Sequence, residues 1–391
     1  MNWDFLIKGK ESMQVTTDSR KVRPGSVFVA LKGEHFDGND FVEQARRDGA
    51  AYVICGENAL QDLQDLARAW RRELGLPILG ITGTNGKTTT KELCAAVLST
   101  KYKLYYTQGN LNNQIGVPLT LLSMTRAHAM AIVEMGASHP GDIKELVDIA
   151  EPNYGLITNV GKAHLQGFGS FEGVMRTKAE LYDFLRAHGG FCFRNTDNPY
   201  LAQMAGDLKT VPYTTGTMPE GTHLVGGYNA ENVSAALCVG AYFGVSEEAA
   251  LAAIRAYVPS NNRSQLMQTE RNTVVVDAYN ANPTSMTAAI EAFANSQQLT
   301  ANSQCYILGA MRELGEYSHL EHQNIVNMLL ERKADKVLLV GEEYKQTTAP
   351  YPVFDNIEAL YAHLQQAPIS GCTILLKGSR SNQMEKILPL L

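Results

Sequence analysis

The chain lacks an unbroken apolar run of the ~18 residues that would read as a membrane span, and nothing in it spans a bilayer. Its opening, MNWDFLIKGKESMQ, has no basic head followed by an apolar stretch, so it does not read as a secretory signal. Paired cysteine motifs are missing too: Cys55, Cys94, Cys192, Cys238, Cys305 and Cys372 are scattered singly. That spacing gives no zinc site and suits reduced thiols buried as small hydrophobes. There is no basic surplus; the formal charge of −6 argues against general nucleic-acid binding, though not against a local anion site. Internal repeats and low-complexity stretches are absent as well. What remains is 391 residues, 45% hydrophobic, enough apolar surface to fold into two or three cores. The expectation is a soluble, multidomain, cytoplasmic protein.

Alternating strand and helix signals organise the chain. SVFVAL (26–31) and AAYVIC (50–55) read as strands around a helix over 41–48, and a charged helix over 61–74 ends before Pro77. A second block starts with the strand PILGIT and continues through AMAIVEM, YGLITNV and GFCF to helices ending near Pro259. From Asn272 a third alternation follows, with strands NTVVVDAY, CYILGA, KVLLVG and TILLKG and helices from about Ser285, His319 and Asn382. Strand–helix alternation implies mostly parallel sheets covered on both faces. The fold class is α/β in three domains: a small N-terminal unit over 1–77, a central domain over 78–258, and a Rossmann-like domain over 259–391.

GITGTNGKTTT (80–90) sits where a strand feeds a glycine-rich turn and a helix opening with Lys-Thr. Such a turn is a phosphate cradle: Gly83, Thr84, Asn85 and Gly86 offer backbone N–H groups, and the helix start at Lys87, Thr88 and Thr89 adds its dipole. Lys87 would reach the β- and γ-phosphates and the Thr88 hydroxyl would hold Mg²⁺. The strict spacing wants glycine where Ile81 stands, so the loop is a variant bracketed by Gly80 and Gly83. Alone it says nucleoside triphosphate, and leaves kinase, GTPase, motor and ligase open.

Three further groups stand near strand ends or just beyond. Glu134, in AIVEMGASHPG, is where a hard Mg²⁺ finds a carboxylate, or where a Glu caps the next helix. His164, in TNVGKAHLQGFGS, reads as a ligand or a structural histidine. Lys178, in the helix that follows, reads on its own as a solvated surface lysine.

GITGTNGKTTT, EMGASHPG and TNVGKAHLQGFGS, in this order, resemble the Mur ligases, the ATP-dependent enzymes that build the peptide stem of peptidoglycan. GNLNNQIGVPLTLL, DAYNANPTSM, ELGEYSHLEH and LKGSR resemble the branch that adds D-alanyl-D-alanine, and TDSRKVRPGSVFVALKGEHFDGNDF resembles its UDP-sugar domain. The resemblance covers essentially the whole chain. It implies ATP-driven activation of the terminal carboxylate of UDP-MurNAc-tripeptide to an acyl phosphate, attacked by the amine of D-Ala-D-Ala. Lys87 and two Mg²⁺ would neutralise the phosphoryl oxygens, one ion on Thr88 and Glu134, the other on His164 and on Lys178 as a CO₂-derived carbamate.

By the same resemblance Asp277 holds the ATP ribose, Asn280 and Asn282 line the nucleotide cleft, Arg263 reaches the phosphates, and Asn229 and Asn232 lie near adenine. Asn112 and Asn113 face the tripeptide, Ser19 and Arg20 meet the UDP-sugar, and Lys377, Ser379 and Arg380 help hold the dipeptide carboxylate. The expected partners are these small molecules alone, with no nucleic acid and no membrane insertion, and the expected state is a monomer. The pattern departs from the family at Ala310, where Asp is usual, at Ser381 for Gly, at Tyr228 for His and at Asn39 for His, and 197–226 is short. Other readings are a sister Mur or folylpolyglutamate-type ligase with another acceptor, or a non-catalytic nucleotide-binding homologue.

Overall fold

The computed structural model describes residues 2–259, 262–296 and 303–391. Three sheets organise them. The first is parallel, with β1 (Val15–Thr16), β2 (Val27–Val29) and β3 (Tyr52–Ile54) in that order. Its strands are shorter than the apolar runs that announced them. The charged helix spans Ala59–Leu74 and buries Leu63, Leu66, Ala67 and Trp70, spaced three to four residues apart along one face. Gly75, at φ 62°, ends it in the left-handed cap that favours glycine.

The second sheet is wholly parallel: β4 (Ile78–Thr82), β5 (Leu104–Tyr106), β6 (Met130–Glu134), β7 (Tyr154–Ile157), β8 (Phe191–Asn195) and β9 (Thr210–Tyr213). Their order is β5-β6-β4-β7-β8-β9. β4 and β6 are buried at every position, as central parallel strands must be. β4 is flanked by β6 and β7, so the phosphate-loop turn, Glu134 and the His164 segment leave the same edge of the sheet. β5 and β9 lie at the sheet's margins and carry no continuous apolar run, which is why the sequence did not announce them.

The third sheet comprises β10 (Gln265–Gln268), β11 (Thr273–Asp277), β12 (Ser303–Gly309), β13 (Lys336–Val340), β14 (Val353–Phe354) and β15 (Cys372–Lys377). The order is β10-β11-β15-β12-β13-β14, parallel except for the edge strand β10. One expectation needs correction. The stretch from Asn382 is not an α-helix but two 3₁₀ turns, Arg380–Asn382 and Met384–Leu390. Gln383 between them takes a left-handed φ of 51°, and Pro389 supplies no N–H. The helix of that region is Ile357–Gln366 instead, capped by Asn356, whose side chain accepts the Ala359 N–H at 2.9 Å.

Candidate active site

A cavity of about 840 Å³ opens where the carboxyl ends of the second sheet face the third domain. The loop residues Thr84 to Thr89 form one wall. Gly83 and Gly86 are fixed in kind by their neighbours. Gly83 sits at φ 144° where a Cβ would lie 2.0 Å from Thr158 Oγ1, and Gly86 at φ 77° where one would lie 2.4 Å from Asn232 Oδ1. No side chain fits at either place, so the backbone stays open to an anion. Lys87 folds back over the loop, its ammonium donating to the Gly83 and Thr84 carbonyls at 2.8 and 2.9 Å. Burial lowers its pKa to about 8; the Glu134 carboxylate opposes that and Arg263 adds to it.

Glu134 ends β6 and is buried in the cavity wall. One carboxylate oxygen accepts from Thr88 Oγ1 at 3.2 Å and Asn112 Nδ2 at 2.8 Å. The other has no hydrogen-bond donor and lies 3.8 Å from the buried Lys91 ammonium. A hydroxyl beside a carboxylate with an oxygen to spare fits Mg²⁺, which takes one or two protein oxygens and leaves the rest to water and phosphate. Among the described residues no three His, Cys, Asp or Glu side chains gather into a group that could hold a metal.

His164 also lines the cavity. It stands at φ 49° at the head of the short helix Leu165–Phe168, and its Nδ1 faces the Glu313 carboxylate of the third domain. Burial lowers its pKa; Glu313 opposes, and the Lys87 and Lys178 charges reinforce the lowering. Lys178 is not the solvated lysine its isolated position suggested. It is buried on helix Phe171–Ala187, with its ammonium 5.6 Å from the Phe168 ring centre and no ion pair. Burial and then the Lys87 charge hold its pKa well below the usual lysine value, against Asp142 and Glu180. It lies behind the wall rather than on it.

The facing wall comes from the third domain. Asp277, Asn280, Arg263 and Lys377 all line the cavity, with Asn229 and Asn232 beside the loop. Asn232 Oδ1 accepts from Thr90 Oγ1, and its amide donates to Asn229 Oδ1, both at 2.9 Å. Asn282 lies just outside the lining and joins the domains. Its amide donates to Asn85 Oδ1 at 2.8 Å, while its carbonyl oxygen caps helix Pro283–Asn295. Tyr228 likewise reaches across, its hydroxyl 2.5 Å from Ser264 Oγ. Burial raises that phenol's pKa.

Asn112 and Asn113 line the end of the cavity beyond Glu134, together with Ser138 and His139. Besides Gly83, Lys178 and Asn282, four residues expected to meet the UDP-sugar or the dipeptide do not line it. Ser19 and Arg20 lie on the 3₁₀ turn of the first domain, where the exposed Arg20 pairs with Asp18 at 2.8 Å. Ser379 is buried, its hydroxyl accepting the Arg312 N–H at 3.1 Å. Arg380 places its guanidinium 5.3 Å from the Tyr279 ring centre. Sequence reasoning passed over Tyr279, although it stands inside DAYNANP: it lines the cavity and stacks against Arg263 at 3.6 Å. Asn159, at the end of the β7 segment, was missed as well; its side-chain oxygen accepts the Asn85 N–H at 2.9 Å and steadies the loop.

Comparison with known proteins agrees with this geometry. The Mur ligase family catalytic domain matches residues 12–96, the Mur ligase middle domain 81–223, and the Mur ligase glutamate ligase domain 262–380. The UDP-N-acetylmuramoyl-tripeptide–D-alanyl-D-alanine ligase of Bacillus subtilis is 34% identical, across 96% of this chain and 92% of its own length. The enzyme of that name from Escherichia coli is 32% identical over the same shares. The crystal structure of the MurF ligase from Thermotoga maritima in complex with ADP superposes with a TM-score of 0.87 at 27% identity, covering 98% of both chains. A cavity walled by a phosphate loop and a second α/β domain, in a chain this similar along its length, places the protein in the Mur ligase family, among the D-alanyl-D-alanine-adding ligases.

Proposed function

We propose that the chain joins D-alanyl-D-alanine to UDP-MurNAc-tripeptide at the expense of ATP, releasing ADP and phosphate, as a monomer of the cytoplasm. The observation that carries this reading is the convergence of Lys87, Thr88, Glu134 and His164 on one cavity that also receives Asp277 and Arg263 from the other side. No helix among the described residues is long and apolar enough to cross a membrane. The working units are taken as 1–77, 78–258 and 259–391, each holding one of the three sheets.

A carboxylate is a poor electrophile until phosphorylated, and the transferring phosphoryl group is handled by alignment and charge. The loop N–H groups and Lys87 bind the phosphates, and Arg263 meets them from the opposite wall. Bound Mg²⁺ would screen the phosphoryl oxygens, with Thr88 and Glu134 as one set of ligands and His164 and a carbamylated Lys178 as the other. CO₂ adds to an unprotonated amine, and the burial of Lys178 with no ion pair, which holds its pKa well below the usual lysine value, supports the carbamate. Asp277 receives the ribose hydroxyls, with Asn280, Asn282, Asn229 and Asn232 around the nucleotide. Asn112 and Asn113 orient the tripeptide terminus, Ser19 and Arg20 the UDP-sugar, and Ser379 and Arg380 the acceptor's carboxylate. The test is phosphate release that requires ATP, UDP-MurNAc-tripeptide and D-Ala-D-Ala together. Release supported by another amino acid, with none from the dipeptide, overturns the proposal.

A further inference from the structure

We propose that Lys377 belongs to the nucleotide side of the cavity, where it is a positioning residue for Asp277, and not to the dipeptide side. Family resemblance groups it with Ser379 and Arg380, but its geometry separates it from both. Asp277 and Lys377 are lateral partners on the last rung between β11 and β15, so the backbone itself sets the two side chains together at the cavity's edge. The Lys377 ammonium donates to Asp277 Oδ2 at 2.6 Å and to the Asn280 carbonyl at 3.2 Å, which occupies two of its three donors. Asp277 Oδ1 accepts the Ser264 N–H at 3.3 Å. Both carboxylate oxygens are therefore held from the protein side, and an ionised carboxylate still has lone pairs for a diol.

Burial gives this pair its weight. Lys377 is only 2% exposed yet lines the cavity with Asp277 and Asn280. Ser379, two residues on, spends its hydroxyl on Arg312 and Ala281 and lines no part of it. An unpaired carboxylate beside a triphosphate would repel it; the buried ammonium cancels that charge and leaves the oxygens as directional acceptors. The ligand chemistry this suits is the 2′,3′-diol of a nucleoside di- or triphosphate. The inference rests on the reading of Asp277 as the ribose contact.

Calorimetric titration of the full chain with ADP and with 2′,3′-dideoxy-ADP, alongside steady-state KM values for D-Ala-D-Ala, tests both layers. Lys377→Gln and Asp277→Asn should each weaken ADP binding about tenfold, the scale of a lost hydrogen bond to a charged group. Both should also erase the preference for ADP over its dideoxy analogue, while the dipeptide KM stays at its wild-type value. The double variant should be no worse than either single one, since both break one contact. Lys377→Arg, which keeps the cation, should recover part of the preference. If Lys377→Gln keeps the preference and instead raises the dipeptide KM, the inference is overturned with the ribose reading intact. If Asp277→Asn still prefers ADP, the ribose reading itself fails, and Lys377 falls with it.

Discussion

The two six-stranded sheets bring charge to their cavity edges in opposite ways. In the central domain Lys178 is buried with no counter-ion, one oxygen of Glu134 has no donor, and Lys87 rests on neutral carbonyls. In the C-terminal domain the buried Lys377 is matched with Asp277, and the buried Glu321 with Lys162 across the junction at 2.7 Å. Burying an ion without a partner costs several kcal/mol, so such groups persist where a ligand completes them. The central edge is therefore built to be finished by phosphate and metal, whereas at the C-terminal edge Lys377 and Asp277 already complete each other and Arg263 keeps a buried Nε without a hydrogen-bond partner.

That contrast can be broken experimentally. The largest effect should come from Lys87→Ala, which removes the cation aimed at the phosphates and should cut turnover by at least ~10²-fold, with the thermal midpoint little changed, measured by coupled phosphate release and calorimetry. Lys178→Met should also abolish most turnover, yet raise the midpoint, because an apolar side chain replaces a buried polar head that has no ion pair. Stripping CO₂ from the buffer should depress the wild-type rate and bicarbonate should restore it; an unchanged rate would remove the carbamate from the mechanism. The mirror-image change, Lys377→Met, should lower stability by about 2 kcal/mol in denaturant titration, since it takes from the partly buried Asp277 carboxylate its charged hydrogen-bond donor. Asn282→Ala should cost about 1 kcal/mol through the lost helix cap and loosen the Asn85 contact.

The smallest effect concerns pH. His322 is buried, accepts the Met311 N–H on Nε2 at 3.0 Å and has Nδ1 2.7 Å from the Ser318 carbonyl, a neutral imidazole bonded on both sides. Burial holds its pKa below the usual value. In the unfolded chain it titrates at about 6.5, so the unfolded state binds the proton first and stability falls as pH drops below that value. The thermal midpoint should be lower at pH 5 than at pH 7, and His322→Gln should flatten that slope.

The phosphate loop could be read from the chain because it is a local pattern with one mechanical meaning, whereas Glu134 alone had two readings and the role of Asp277 came only from the family resemblance. Lys178 shows where local reading stopped short. Val174, Thr177, Leu181, Tyr182 and Leu185 are buried beside it, a spacing of three and four that puts position 178 on the helix's inner face. That periodicity was available and would have ruled out a solvated lysine. The Asn85–Asn282 bond was not available, because its partners are 197 residues apart and only the packing of two domains brings them together. The left-handed conformations of His164 and Glu313, which set those two side chains face to face, carry no signature in either residue type.

The two junctions between domains are made of different material. Trp3, Ile7, Val27, Leu63 and Trp70 of the first domain share one apolar cluster with Val117, Leu121 and Val133 of the second, and the Trp70 indole donates to the Met124 carbonyl at 3.1 Å. The second and third domains meet instead through amides, hydroxyls and ion pairs together with smaller apolar contacts, Tyr317 on the Leu165, Phe168 and Val174 cluster and Val225 on the third-domain core. The first two domains are therefore held together more firmly than the second is held to the third. Displacing the C-terminal domain would expose less apolar surface than parting the N-terminal domain from the phosphate-loop domain, so a movement that opened the cavity would leave the first junction closed.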